Sequence, residues 1–259
     1  MTEAPAQQDA EPALRLRGVG RRFGGVHAVR EVDLDVAHGE RRAILGPNGA
    51  GKTTLFNLVA GDFPVTTGTI EIFGKDVTHL PARARPALGL SRSYQKSRLF
   101  LGLTVLENLL LALVGSEGGR LRMVPNPADR ELRERARAAA DRVALGHAVD
   151  TLVGSLSHGE QRQLEVGMAS VTDPKIIMLD EPASGLSRGE RERLTELLMG
   201  LPEAVTLIVI EHDMDVALTV ARYVTMMHEG RKIVEGTPQE IRGNQMVHDL
   251  YLGRAHQNE

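Results

Sequence analysis

A chain of 259 residues is long enough for one large domain, or for a core with an appended subdomain. Its 42% hydrophobic and 25% charged residues are those of a soluble globular protein, and a net charge of −3 offers no basic field to nucleic acid. The absence of cysteine excludes disulfides and thiolate metal sites, and no apolar run reaches the ~18–20 residues that cross a bilayer. Residues 1–12 are polar and acidic, which predicts a flexible leader without a signal peptide and a cytoplasmic chain.

Residues 13–17 and 31–36 alternate apolar and polar side chains, as half-buried antiparallel strands do. Between them Val19-Gly20-Arg21-Arg22-Phe23-Gly24-Gly25 reads as a loop. Phe23 would there either stack on a nucleobase or fill the core, and pattern alone leaves both open. Residues 41–45 end in Ala-Ile-Leu, a buried strand, and run into Gly46-Pro47-Asn48-Gly49-Ala50-Gly51-Lys52-Thr53-Thr54. This is the phosphate-binding spacing G-x-x-x-x-G-K-[ST], followed by a helix over 54–60 that Gly61 stops. The glycines let the backbone wind until consecutive N–H groups converge on phosphate oxygens at a positive helix end. Lys52 supplies a compact cation to the terminal phosphates, and the Thr53 hydroxyl can ligate Mg²⁺. A Gly-rich turn alone would be a weak signal; Gly-Lys-Thr at this distance after a strand points to a nucleoside triphosphate.

Residues 68–73 predict a further strand with a turn at Gly74-Lys75-Asp76, and 81–90 a helix interrupted at Pro86. Gln95 is a neutral amide able to touch a metal-bound water, a weak signal by itself. Residues 105–114 form an apolar helix, 115–127 a loop, and 128–145 a second helix. In the latter Ala128, Leu132, Ala136, Ala139 and Val143 share one face, and Glu131 is placed to pair with Arg135 on the other. Residues from about 104 to 154 thus read as an inserted helical segment, which the next helix extends to 169. Ser157 and Glu160 at that helix's start make a capping box; alternatively, Ser157 and the Gly159 N–H form a second phosphate-binding helix end.

Ile176-Ile177-Met178-Leu179 is a buried strand with Asp180 and Glu181 at its C-terminal end, where open α/β sheets bind ligands. Asp180 suits a Mg²⁺ contact and Glu181 could polarise an attacking water. A second apolar run over 204–210 ends in Glu211-His212-Asp213, which brings His212 to the same sheet edge, suited to a γ-phosphate contact. A hairpin over 223–235 and one or two helices over 239–253 close the chain, with 254–259 loose.

Taken together, residues 13–253 resemble the nucleotide-binding subunit of an ATP-binding cassette (ABC) transporter. In family terms Phe23 matches the adenine-stacking aromatic, Gly46 to Thr54 Walker A, Gln95 the Q-loop glutamine and Leu156 to Glu160 the signature sequence. Asp180 matches Walker B, Glu181 the catalytic carboxylate and His212 the switch histidine. His158 and Glu160 depart from the common Leu-Ser-Gly-Gly-Gln, and Ser187 stands where the D-loop commonly has Asp. The resemblance implies an α/β fold: a RecA-like P-loop NTPase core with an antiparallel β subdomain and an inserted helical subdomain. It further implies ATP and Mg²⁺ as ligands, with Lys52, Gln95, Glu181 and His212 catalytic, and Thr53, Gln95 and Asp180 near the metal. Ser157, Gly159 and Glu160 would cover the nucleotide of a second cassette, identical or different. Permease subunits, an external solute-binding protein acting indirectly and a peripheral place at the cytoplasmic membrane face complete the expectation. Finer likeness, in Arg22-Phe23-Gly24-Gly25, Leu-Ser-His-Gly-Glu-Gln and Glu211-His212-Asp213-Met214, points to importers of branched-chain amino acids or urea-like solutes. The competing class is a soluble cassette ATPase, for example in iron–sulfur assembly; a GTPase is disfavoured because no Asn-Lys-x-Asp occurs.

Overall fold

The opening hairpin is longer than its alternation suggests. In the computed structural model, which describes residues 11–93, 99–116 and 127–252, β1 (Leu14–Phe23) pairs antiparallel with β2 (Val26–Val36). The expected loop over 19–23 is therefore strand, and Gly24-Gly25 alone makes the turn. Register shifts between Leu16 and Val19, and between Val19 and Arg22, show why alternation failed: bulges take up the extra residues and break period two. β3 (Arg41–Leu45) leads to α1 (Lys52–Ala60), which Gly61 ends in the left-handed conformation at φ 81°. β4 (Thr67–Ile72) joins the other edge of β1, and Lys75–Asp76, expected as a turn, forms the short strand β5 beside it. These make an antiparallel sheet in the order β2-β1-β4-β5.

The helix expected over 81–90 is instead two single 3₁₀ turns, Ala82–Ala84 and Pro86–Leu88, before strand β6 (Leu90–Arg92). Pro86 has no N–H to continue a helix, and Gly89 at φ 88° ends the second turn. From this segment Arg85, 2% exposed, reaches into the protein. Its guanidinium donates to the carbonyls of Leu58 (3.0 Å) and Val59 at the end of α1, and to those of Leu80 (3.1 Å) and Val77 (2.7 Å). Helix-end carbonyls have no partner within the helix, so this buried cation completes α1.

The helical part comprises α2 (Val105–Ser116), α3 (Pro127–Arg142) and α4 (His158–Ser170). α3 stops three residues short of expectation, just before Ala144 adopts φ 59°. Its outer face carries an Arg130–Glu134 pair at 3.1 Å, while Ala136, Ala139 and Val143 are buried against Val105, Leu109 and Leu113 of α2. After α4 come β7 (Ile176–Asp180), α5 (Arg188–Met199), β8 (Thr206–Ile210), α6 (Met214–Val220), β9 (Tyr223–His228), β10 (Arg231–Gly236), α7 (Pro238–Arg242) and α8 (Gln245–Leu252). The second sheet runs β10-β9-β3-β8-β7-β6, parallel except for the β9–β10 hairpin. Every residue of β3, β7 and β8 is buried, because helices or the antiparallel sheet cover both faces.

One face packs Leu55, Phe56 and Leu58 of α1 with Leu16 and Ile70 of the first sheet over Ile176 and Ile208. The opposite face packs Leu194 and Leu198 of α5 over Ile177, Leu179 and Val209. α4 belongs to two cores: Leu164 lies among the helices, whereas Val166 and Ala169 lie on the sheet. Among the described residues, no helix is long and apolar enough to cross a membrane.

Candidate nucleotide site

Between β3 and α1 the loop from Gly46 to Thr54 is shaped by crowding. A Cβ on Gly46 (φ 150°) would lie 2.1 Å from the Met227 carbonyl oxygen, and one on Gly51 (φ 95°) 2.3 Å from that of Ala28. β9 and β2 thus press on the loop from two sides, and only glycine fits. Ala50 is buried, Pro47, Gly51, Thr53 and Thr54 are half-buried, and Asn48 and Gly49 are exposed. No side chain caps α1 and its first turn holds no acidic residue, so its positive end is left for an anion. Lys52 is buried in that turn, with Nζ donating to the carbonyls of Gly46 (2.6 Å) and Pro47 (3.1 Å). Burial lowers the pKa of its ammonium, while Glu181 and Asp180 oppose that shift.

Asp180, at the end of β7, is 1% exposed, and neither of its buried carboxylate oxygens has a hydrogen-bond partner among the described residues. Arg92 Nη2 stands 3.7 Å away. Burial raises the carboxyl above the usual range and the neighbouring Glu181 adds to the rise, against Arg92 and Lys52. Two buried, unpartnered acceptor oxygens are costly, and a hard divalent cation is the ligand that suits them. The next residue, Glu181, takes φ 50°, a conformation few non-glycine residues adopt. Its N–H donates to the Ile210 carbonyl (2.9 Å), and its Oε2 lies 3.8 Å from Nδ1 of the half-exposed His212. β7 and β8 are neighbours in register, Asp180 opposite Ile210, and so bring the two strand ends together. Gln95 lies outside the described residues.

Phe23 is not a core residue. It is 41% exposed, its ring meets Phe63 edge-to-face at 5.5 Å, and the Arg21 guanidinium lies 4.6 Å over its face. Phe63 and Arg21 carried no motif, and only the fold brings them to Phe23. At the start of α4 the capping box is present: Ser157 Oγ accepts from the Glu160 N–H (3.2 Å), and Glu160 Oε2 from the Ser157 N–H (2.8 Å). The Gly159 N–H donates to Glu190 Oε1 (3.1 Å), and Glu190 also caps α5 through Ser187.

Sequence reasoning passed over Glu211. It is fully buried, with Oε1 accepting the Ala183 N–H (2.9 Å) and Oε2 the His212 N–H (3.3 Å). Burial, helped by the charges of Glu181 and Asp213, pushes its carboxyl from the ordinary 4.5 up to about 7. The native state therefore binds this proton more tightly than the unfolded chain. The resulting stability is complete below the unfolded value and is lost as pH rises through the native one. Relative to Glu211→Met, the wild-type melting temperature should accordingly gain on moving from about pH 8 to about pH 6; a flat difference in calorimetry would contradict the shift.

A glycine-cradled helix start and paired strand-end carboxylates on one parallel sheet are the apparatus of a P-loop nucleoside triphosphatase. Comparison with known proteins narrows the class. The ABC transporter family model matches residues 29–184, and the chain belongs to that family, whose cassettes bind and hydrolyse ATP. LivG of Salmonella typhimurium, a high-affinity branched-chain amino acid transport ATP-binding protein, is 37% identical over 254 residues, 95% of this chain and 100% of its own. BraF of Pseudomonas aeruginosa, with the same description, is 36% identical over 261 residues at the same coverage. A crystal structure of the ADP conformation of an ABC transporter's ATP-binding cassette superimposes with a TM-score of 0.84 at 28% identity, covering 93% of this chain and 98% of that one. The expected core with its antiparallel and helical subdomains is therefore the fold of this chain.

Proposed function

We propose that the chain is the ATP-hydrolysing subunit of an importer for branched-chain amino acids. The observation that carries the reading is the likeness to LivG, which spans that protein from end to end, helical segment included. Backbone N–H groups of the loop from Asn48 to Thr54 and the Lys52 ammonium hold the triphosphate, with the adenine against Phe23. Thr53 and Asp180 would hold Mg²⁺ through a hydroxyl and a carboxylate, and the cation would neutralise phosphate charge there; Gln95 is assigned to the same cation by family resemblance alone. Glu181 orients the attacking water and takes its proton, and His212, next to Glu181, steadies the γ-phosphate.

The cassette works with a second one, identical or different. Ser157, Gly159 and Glu160 of each close over the nucleotide held by the other, so the α4 start serves a phosphate that its own chain does not hold. The pair sits peripherally on permease subunits at the cytoplasmic membrane face, and a solute-binding protein delivers cargo outside. Ser157 Oγ, which accepts the Glu160 N–H, keeps its own O–H to donate to that phosphate, whereas the Gly159 N–H must first leave Glu190. The test is to isolate the complex from membranes and add binding protein loaded with different solutes. Branched-chain amino acids should raise ATPase activity above that with unrelated solutes. A chain that stays in the soluble fraction without hydrophobic subunits favours the soluble-ATPase reading and ends this one.

A further inference from the structure

The buried Glu211 carboxylate is part of neither the phosphate grip nor the metal set, yet it lies in the middle of the hydrolytic corner. It follows β8 directly and pairs with no cationic side chain among the described residues. Its two oxygens are spent on backbone N–H groups, one across in the segment after β7 and one on the next residue of its own segment. One accepts from Ala183, inside the turn that the Ser184 N–H closes onto the Glu181 carbonyl at 3.1 Å. The other accepts from His212. Burying a lone carboxylate is expensive, and an apolar side chain of the same size would be cheaper unless the two-oxygen acceptor is needed. Ionised, above its raised pKa of about 7, the group offers two acceptors and no donor; the amide isostere presents one oxygen and an N–H₂.

We propose that Glu211 is a positioning residue for ATP hydrolysis, a clasp that holds the Glu181 turn and the His212 backbone in one fixed relation. Glu181 sits in a left-handed conformation that its surroundings must impose, and its carboxylate is 3.8 Å from His212. With the clasp closed, the base and the imidazole shift together as one unit. With it open, each loop relaxes by itself and the water loses its line to phosphorus. An error of about 1 Å in such a constellation costs on the order of 10²-fold in rate.

The proposal rests on the roles given to Glu181 and His212, so its test carries Glu181→Gln as a control. In the assembled complex, Glu211→Gln keeps the volume but sets an N–H₂ against one backbone N–H, and Glu211→Met leaves both N–H groups unpaired. Both variants should lower kcat about tenfold or more, with KM for ATP within about twofold and binding of a fluorescent ATP analogue unchanged. A kcat within about twofold of wild type in either variant overturns the clasp. Joint loss of nucleotide binding and kcat in both also overturns it, because that marks general damage. If Glu181→Gln hydrolyses ATP at the wild-type rate, the reading beneath falls and takes the clasp with it. If Glu181→Gln is inactive while Glu211→Gln is active, the clasp alone is refuted.

Discussion

Replacing Glu181 by Gln should stop ATP turnover while leaving ATP binding intact. A general base contributes about 10²–10⁴-fold to such a step, so kcat in the complex should fall by that factor with little change in nucleotide affinity. The amide is isosteric and still able to orient a water, but it cannot take the proton. Nothing in the phosphate loop changes, and the closed pair of cassettes, once formed around ATP, has no route to reopen by hydrolysis. The variant should therefore accumulate as a dimer in size-exclusion chromatography with ATP and revert to single chains without it. Turnover near the wild-type rate would remove Glu181 from its place in the reaction.

Lys52→Ala acts on the other half of the chemistry. Lys52 is buried at the start of α1 and holds the Gly46 and Pro47 carbonyls, so its ammonium is already committed to the loop's curvature. A hydrogen bond to a charged group contributes about 1.5–3 kcal/mol, and its loss should weaken ATP binding roughly tenfold to a hundredfold. The loop is meanwhile deprived of the two bonds that fold it back on its helix. Equilibrium titration with a fluorescent ATP analogue measures the change; unchanged affinity would contradict phosphate binding at this loop.

The two variants also divide what could be read from residues alone. The phosphate loop was legible because its spacing dictates local geometry: the glycines stand where Met227 and Ala28 leave no room for a Cβ. The strands carrying it were legible as buried apolar runs. β1 was not, because bulges broke its alternation; the break at Pro86 was legible, but not that single 3₁₀ turns rather than helix flank it. The deepest miss was Glu211. Glu181 and Glu211 each come directly after one of two neighbouring strands, yet one carboxylate approaches His212 and the other is sealed inside. A strand buried on both faces has no period of two, so the residue after it carries no mark of which way it turns. Phe63 and Arg21 were hidden for a related reason: they reach Phe23 through tertiary contact, which no local pattern encodes.

Arg85 has a mechanical consequence. A single planar cation rivets the far end of α1 to the 77–85 segment through four carbonyls. A lysine, with one point charge, could not span them. The helix behind the proposed triphosphate site is thus tied at its rear as well as at its front, so that displacing the 77–85 segment should carry α1 with it.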